Sequence, residues 1–150
     1  MKQLKYTCGY KYRIEESYTT KTDIIGYSIQ TDFIKLTIVG VLTLKKGFAW
    51  DGPSGIAVDT PDFMRSSAEH DAGYKLMRMG LLPLSEREVV DRQLRKTCLE
   101  DGMPEFRADY VYHAVRAFAS AAANPKNKKQ VFVAPANILL RLVSATVRNS

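Results

Sequence analysis

One junction constrains the fold more than any other feature of the sequence. Up to about Asp51 the chain carries strand signals. Beyond it the pattern turns helical, and between the two lies "GFAWDGPSGIAVDTPDF". The stretches "YKYRI" and "KLTIVGVLTLKKGFAW" are rich in Tyr, Ile, Val, Thr and Phe with partial alternation, as a half-buried sheet requires. Gly26 and Gly40 fall where turns or bulges are needed. A chain that spends its strands first and its helices afterwards is an α+β protein. The expected form is a small N-terminal antiparallel β-sheet followed by a helical C-terminal half with an antiparallel helix pair. The 150 residues read as one domain with a sizeable core: a β-rich part over 1–50, a Gly/Pro loop over 51–61 and a helical part over 62–150.

The helices are predicted from caps and periodicity. The first starts near "TPDFM", with Thr60 or Asp62 as its cap, and stops at Gly80; Phe63, His70, Tyr74 and Met77 fall near one face. The second starts at "SEREVV", where Ser85 and Glu88 have the spacing of a capping box, carries the stripe Val90, Leu94, Thr97 or Cys98, and ends at Gly102. The third starts near Pro104 and runs through "ADYVYHAVRAFASAA"; "NPKNKKQ" is a basic linker, and Pro135 opens a short C-terminal helix. Trp50 reads as a core anchor, His113 as a packed, hydrogen-bonded histidine and "KNKK" as a solvated loop.

Charge and cysteine usage narrow the function classes. A formal net charge of +6 is a modest bias toward anionic partners and defines no site, so there is no strong nucleic-acid signal. Two distant cysteines, Cys8 and Cys98, do not make a disulfide scaffold and lack zinc spacing. The N-terminus has no signal-peptide core, and no run approaches the ~20 apolar residues of a membrane span. There is no P-loop, no dinucleotide fingerprint and no G-x-S-x-G elbow. Phosphohydrolases built on an "HD" pair need more histidines than the two present.

What remains is "SSAEHDAGYKLMRMG". His70 and Tyr74 are four residues apart and share a helical face, while Asp71 is turned by about 100°. His70 could be a satisfied core residue, a metal ligand or a general base. Asp91 lies one hairpin away, and in an antiparallel pair it would face His70, where a carboxylate fixes the imidazole tautomer and stabilises the imidazolium. Tyr74 could hold that carboxylate through its hydroxyl. Asp71 and carbonyls of "WDGPSG", with Asp51 beside them, offer oxygen ligands of the kind calcium accepts.

The stretch from roughly Gly40 to Phe118, with "KKGFAWDGPSG", "EHDAGY" and a later "R…VD" in order, resembles a family of tailed-phage and prophage proteins of unknown function. That resemblance implies a virion or accessory protein, located in the virion or host cytoplasm, with other phage structural proteins or host membrane lipid as partners. It brings no reaction. More weakly, "GPSG…D…HDAGY…VD" is similar to the catalytic region of phospholipase A2, especially the disulfide-free version in parvovirus capsid proteins. That similarity implies His70 as base, Asp91 as its dyad partner and Tyr74 as hydrogen-bond support. Asp71 would be a calcium ligand, with Gly52, Ser54 and Gly55 in the calcium loop. Trp50-Asp51 departs from the enzyme pattern, which has no acid at that place. Two expectations therefore stand side by side. One is a non-enzymatic phage protein with a buried His/Asp network. The other is a calcium-dependent lipid ester hydrolase using the His70/Asp91 pair.

Overall fold

The computed structural model describes residues 3–4, 6–7, 12–52 and 60–127. Ser54, Gly55, the "KNKK" run from position 128 onward and the helix expected after Pro135 lie outside the described residues. Among the described residues, seven short strands precede four α-helices: β1 (Tyr6–Thr7), β2 (Tyr12–Ile14), β3 (Tyr18–Lys21), β4 (Ile29–Gln30), β5 (Ile34–Leu36), β6 (Val41–Leu44), β7 (Ala49–Trp50), then α1 (Pro61–Arg78), α2 (Arg87–Glu100), α3 (Glu105–Phe118) and α4 (Ser120–Ala123). The α+β class and the antiparallel pairing are as the sequence predicts.

The single expected sheet is two: β1-β2-β7 and β3-β6-β5-β4, all pairs antiparallel. The physical cause is a jog. β2 and β3 form one arm of a ribbon and β6 and β7 the other, with β4 and β5 inserted between the arms in sequence. The pairing keeps one register on both sides of the break, Tyr12 opposite Trp50 and Tyr18 opposite Leu44. Across it the amide of Ile14 donates to the Phe48 carbonyl at 2.9 Å and that of Gly47 to the Ile14 carbonyl at 2.8 Å, so the ribbon bends without ending. Strands β3 and β4 come from "YTTK" and "IQ", segments too short and too polar to announce themselves.

α1 is the centre of the molecule. One side packs on the sheets, where Met64, Ala68, Ala72, Leu76 and Met77 meet Ile14, Leu36, Leu44, Phe48 and Trp50. Phe63 joins Leu94, Cys98, Met103, Ala108 and Val111 from the α2–α3 side. Phe63, His70 and Tyr74 share the expected face and line one cleft, while Met77 belongs to the sheet-side cluster, so the helix is buried on two sides. Its polar residues must consequently find partners indoors. Arg65 donates to both Asp101 carboxylate oxygens at 3.0 Å, to Glu100 at 3.0 Å and to the Tyr18 hydroxyl at 3.1 Å. Glu69 accepts from Tyr18 at 2.6 Å and from Thr97 at 2.8 Å. Burial pushes the Glu69 carboxyl above the usual range, an effect its hydrogen bonds and Arg65 only partly offset. Among the described residues no buried side-chain nitrogen or oxygen lacks a partner.

The caps depart from expectation. Thr60 occupies the cap position of α1 in extended backbone but makes no cap bond. Its hydroxyl instead engages the Asp62 carboxylate and accepts from Arg107 at 2.8 Å. The Ser85–Glu88 capping box does not form. Leu84–Glu86 is a 3-10 turn, α2 follows with Glu86 as its cap residue, and Glu88 pairs with Arg92. Pro104 is the cap residue of α3, which breaks at Ala119 before α4. His113 is exposed, its ring edge-on to Tyr112 at 5.2 Å, so the packed role expected for it is not the one it has. A run of small and apolar neighbours suggested burial, but His113 lies on the solvent side of α3. No helix among the described residues is long and apolar enough to cross a membrane.

α1 and α2 make a tight contact at Gly73. A Cβ there would lie 2.7 Å from Val90 Cγ1 and 3.0 Å from Cγ2, and Val90 is itself buried. On helix propensity alone Gly73→Ala would gain about 1 kcal/mol. Overpacking a β-branched neighbour that has nowhere to move costs about 1–3 kcal/mol. The expected net result is destabilisation, read as a lower urea midpoint at unchanged slope. A midpoint equal to or above that of the parent would refute the close-contact account.

Candidate functional site

The antiparallel α1–α2 pair places His70, Tyr74 and Asp91 together. The turn between the helices is fixed by Leu82, which is buried and whose amide, with that of Leu81, bonds the Leu76 carbonyl at 3.2 and 2.9 Å. Asp91 is fully buried at 0 % exposure. Its Oδ1 accepts from His70 Nε2 at 2.7 Å and from the Tyr74 hydroxyl at 2.7 Å. The His70 and Tyr74 rings lie against each other with centroids 4.1 Å apart. This is the geometry the spacing predicts for these three residues.

Two arginines complete the cluster. Arg116 Nη1 donates to Asp91 Oδ2 at 2.8 Å, and Arg87 Nε lies 3.8 Å from the same oxygen. Arg87 also donates to the Tyr74 hydroxyl at 3.0 Å and to the carbonyls of Val115 and Arg116 at 2.7 Å each. Arg116 escaped the sequence reading, and Arg87 entered it only as the arginine of the "R…VD" motif, with no role assigned. Arg87 carried a signal, four residues before Asp91 on one helix. Arg116 stands alone as a charge in "HAVRAFASAA", which marks a cation needing a partner without saying which.

Electrostatics fix the protonation pattern. Burial alone would push the Asp91 carboxyl up. The hydrogen bond and charge of His70, with the bonds from Arg116 and Tyr74, outweigh it and hold Asp91 below the ordinary carboxylate range. An ionised carboxylate only accepts. His70 Nε2 therefore carries the proton of that bond, and Nδ1 is the ring nitrogen that Asp91 does not engage. The Tyr74 phenol is pushed up, by burial first and then by the bond and charge of Asp91, so it stays a donor.

His70, Asp71 and Tyr74 line a cleft of about 290 Å³, with Gly52 and Ser67 on the same side and Phe63, Leu94, Val111, Val115 and Phe118 forming an apolar wall. Phe118 stands at the mouth, 78 % exposed. The "WDG" segment is tied to this edge. Trp50, 2 % exposed, donates from Nε1 to Ser67 at 3.1 Å, which makes it the core anchor expected. Gly52 has φ +75, and a Cβ on it would strike the Tyr12 ring at 2.4 Å, so only glycine carries the chain past that ring to the cleft.

The calcium expectation meets a thinner donor set. Asp71 and Gly52 are on the cleft, Asp51 is exposed, and Ser54 and Gly55 lie outside the described residues. Among the described residues no group of three or more His, Cys, Asp or Glu side chains could hold a metal ion. Burial pushes the Asp71 carboxyl up; Arg78 and His70 oppose this, and Asp51 adds to it. The described residues do not by themselves form a calcium cage, and no chemical step below is routed through one. Cys98 is buried, its thiol pushed up to about 11 by burial, and it takes no part in the site.

Set against family models, curated proteins and solved structures, the chain matches none of them at a significant level.

Asp91 also sets an acid limit. Its folded value is depressed, so the stability it contributes is fully present above its unfolded value, near 3.9, and is lost as pH falls through the folded value. Asp91→Asn puts an amide donor opposite either His70 or Arg116. At neutral pH it should cost about 3–5 kcal/mol, as breaking a buried charge pair does. Melting curves from pH 7 to pH 2 should show a shallower acid-side loss in the variant. Parallel curves would rule out Asp91 as the titrating contributor.

Proposed function

We propose that the chain is a hydrolase in which His70 activates water against an ester bearing an apolar acyl chain. The observation that carries this is the position of the His70–Asp91–Tyr74 cluster: one nitrogen of the imidazole is pinned by a buried carboxylate, and the side chain lines a cleft with an apolar wall. Such an orienter serves a base that must become positively charged for an instant. In the proposed step Nδ1 of His70 takes a proton from water as the water oxygen bonds to the ester carbonyl carbon. The ester C–O bond then breaks, the proton passes to the departing oxygen, and a carboxylic acid and an alcohol leave. Asp91 stays ionised throughout and stabilises the imidazolium, while Tyr74 keeps Oδ1 in place. Through the tailed-phage resemblance, the lipid of a host membrane is the natural substrate.

A second reading is favoured by one observation: both Asp91 oxygens are engaged by donors from α1 and α3. Fully satisfied buried networks specify a unique core. In this reading the chain is a phage virion or accessory protein that binds other phage proteins and has no reaction.

His70→Gln separates the two, because glutamine keeps bulk and some hydrogen bonding but cannot act as a base near pH 7. On the hydrolytic reading, cleavage of mixed-micelle phospholipid or of a soluble medium-chain ester falls by about 10²–10⁴-fold, beside the loss of stability that the broken bond to Asp91 brings on either reading. On the second reading neither protein cleaves either ester, and the variant loses about 1–3 kcal/mol through the broken buried bond. The assay is run in millimolar calcium and in chelator. If Asp71 and the loop before α1 bind calcium, saturation to a hundred times the dissociation constant raises stability by about 2.7 kcal/mol. Identical melting curves in calcium and chelator would remove calcium from the proposal and leave the histidine chemistry to stand or fall on the ester assays.

A further inference from the structure

We propose that Arg116 is a positioning residue for the His70–Asp91 pair. Its catalytic consequence rests on the hydrolytic reading above, but its primary observable does not. The terminal torsion of an aspartate is broad and nearly two-fold, so its two oxygens interchange unless each is held. Oδ1 has His70 and Tyr74. Oδ2 has one close donor, Arg116 Nη1 at 2.8 Å. Arg87 Nε, at 3.8 Å, is beyond hydrogen-bond reach of that oxygen and is spent on the Tyr74 hydroxyl at 3.0 Å. Without Arg116 the carboxylate could turn toward Arg87, and the line from Oδ1 to Nε2 of His70 would no longer be fixed.

Arg116 is in turn held. The guanidinium of Arg87 bonds the carbonyls of Val115 and of Arg116 itself, each at 2.7 Å. A closed circuit results: Tyr74 to Asp91, Asp91 to Arg116, the backbone of Arg116 to Arg87, and Arg87 back to Tyr74. The circuit joins α1, α2 and α3, and its α3 segment also supplies Val115 and Phe118 to the cleft wall. The acid of the pair therefore takes its orientation from the same turn of helix that shapes the cleft.

The test uses the full chain, with histidine ring nitrogens labelled, and compares the parent with Arg116→Gln and Arg116→Lys. The chain has two histidines, and exposed His113 serves as the internal reference. In the parent, the His70 Nε2 proton should be seen by NMR as a hydrogen-bonded, slowly exchanging signal, while the ring protons of His113 exchange too fast to observe. In Arg116→Gln, with the amide spectrum otherwise preserved, exchange of the His70 ring proton with water should rise at least about tenfold, or the signal should vanish. Arg116→Lys, which restores a charged donor of different reach, should fall between. For ester cleavage, Arg116→Gln should lower kcat by about 10–100-fold, as loss of a partner that orients a functional histidine does, with KM within about twofold. Unchanged ring-proton exchange in a folded Arg116→Gln overturns the proposal whatever the activities. If Arg116→Gln does not fold, Arg116→Lys decides, and exchange equal to the parent's overturns it. A parent that cleaves no ester removes the hydrolytic reading alone, and the NMR comparison still rules on Arg116.

Discussion

The contact between α1 and α2 at Gly73 governs the rest of the structure. Because residue 73 has no side chain, the two helices can close until Val90 touches backbone. Asp91 follows Val90 directly, and His70 and Tyr74 flank Gly73 within one turn on either side. The helix separation that Gly73 allows is thus the separation at which a histidine ring and a phenol on one helix both reach a single carboxylate oxygen on the other. A wider pair would leave Asp91 buried without its donors, an arrangement that no globular interior tolerates cheaply.

The second consequence runs through α1. A helix covered by sheets on one side and by two helices on the other cannot put its polar residues into water. Arg65, Ser66, Ser67 and Glu69 are all buried, and each is answered by a partner from a different element. The Glu69 and Asp91 clusters lie on the same helix but differ in kind. Glu69 is dominated by its burial, whereas Asp91 is dominated by the donors around it. The second cluster adjoins the cleft.

Legibility in the sequence followed the range of each interaction. The α+β order, the antiparallel helix pair and the glycine stops at Gly80 and Gly102 are local patterns and appear where they were read, both glycines at positive φ. The meeting of His70, Tyr74 and Asp91 was legible because one hairpin and one four-residue spacing are enough to derive it. Arg116 was not, since its bond to Asp91 depends on how α3 returns across α2, and nothing in "HAVRAFA" encodes that angle. The caps failed for a related reason. Ser85 and Glu88 have the right spacing, but a 3-10 turn starts first, and the Thr60 hydroxyl is claimed by Asp62 and Arg107, the latter from the distant α3. The split of the sheet was invisible because the strands on either side of the jog keep one continuous pattern.

That unbroken register has a bearing on how the chain finds its fold. A ribbon whose halves share one alignment cannot slip by a residue in one half unless the other slips with it, and such a slip would turn Tyr18, Leu42, Leu44 and Trp50 outward together. The ribbon pairs residues well separated in sequence, Tyr12 with Trp50 and Tyr18 with Leu44, whereas β4, β5 and β6 pair in sequence order. The ribbon is thus suited to close in one alignment, and to present Trp50 as the template against which α1 packs.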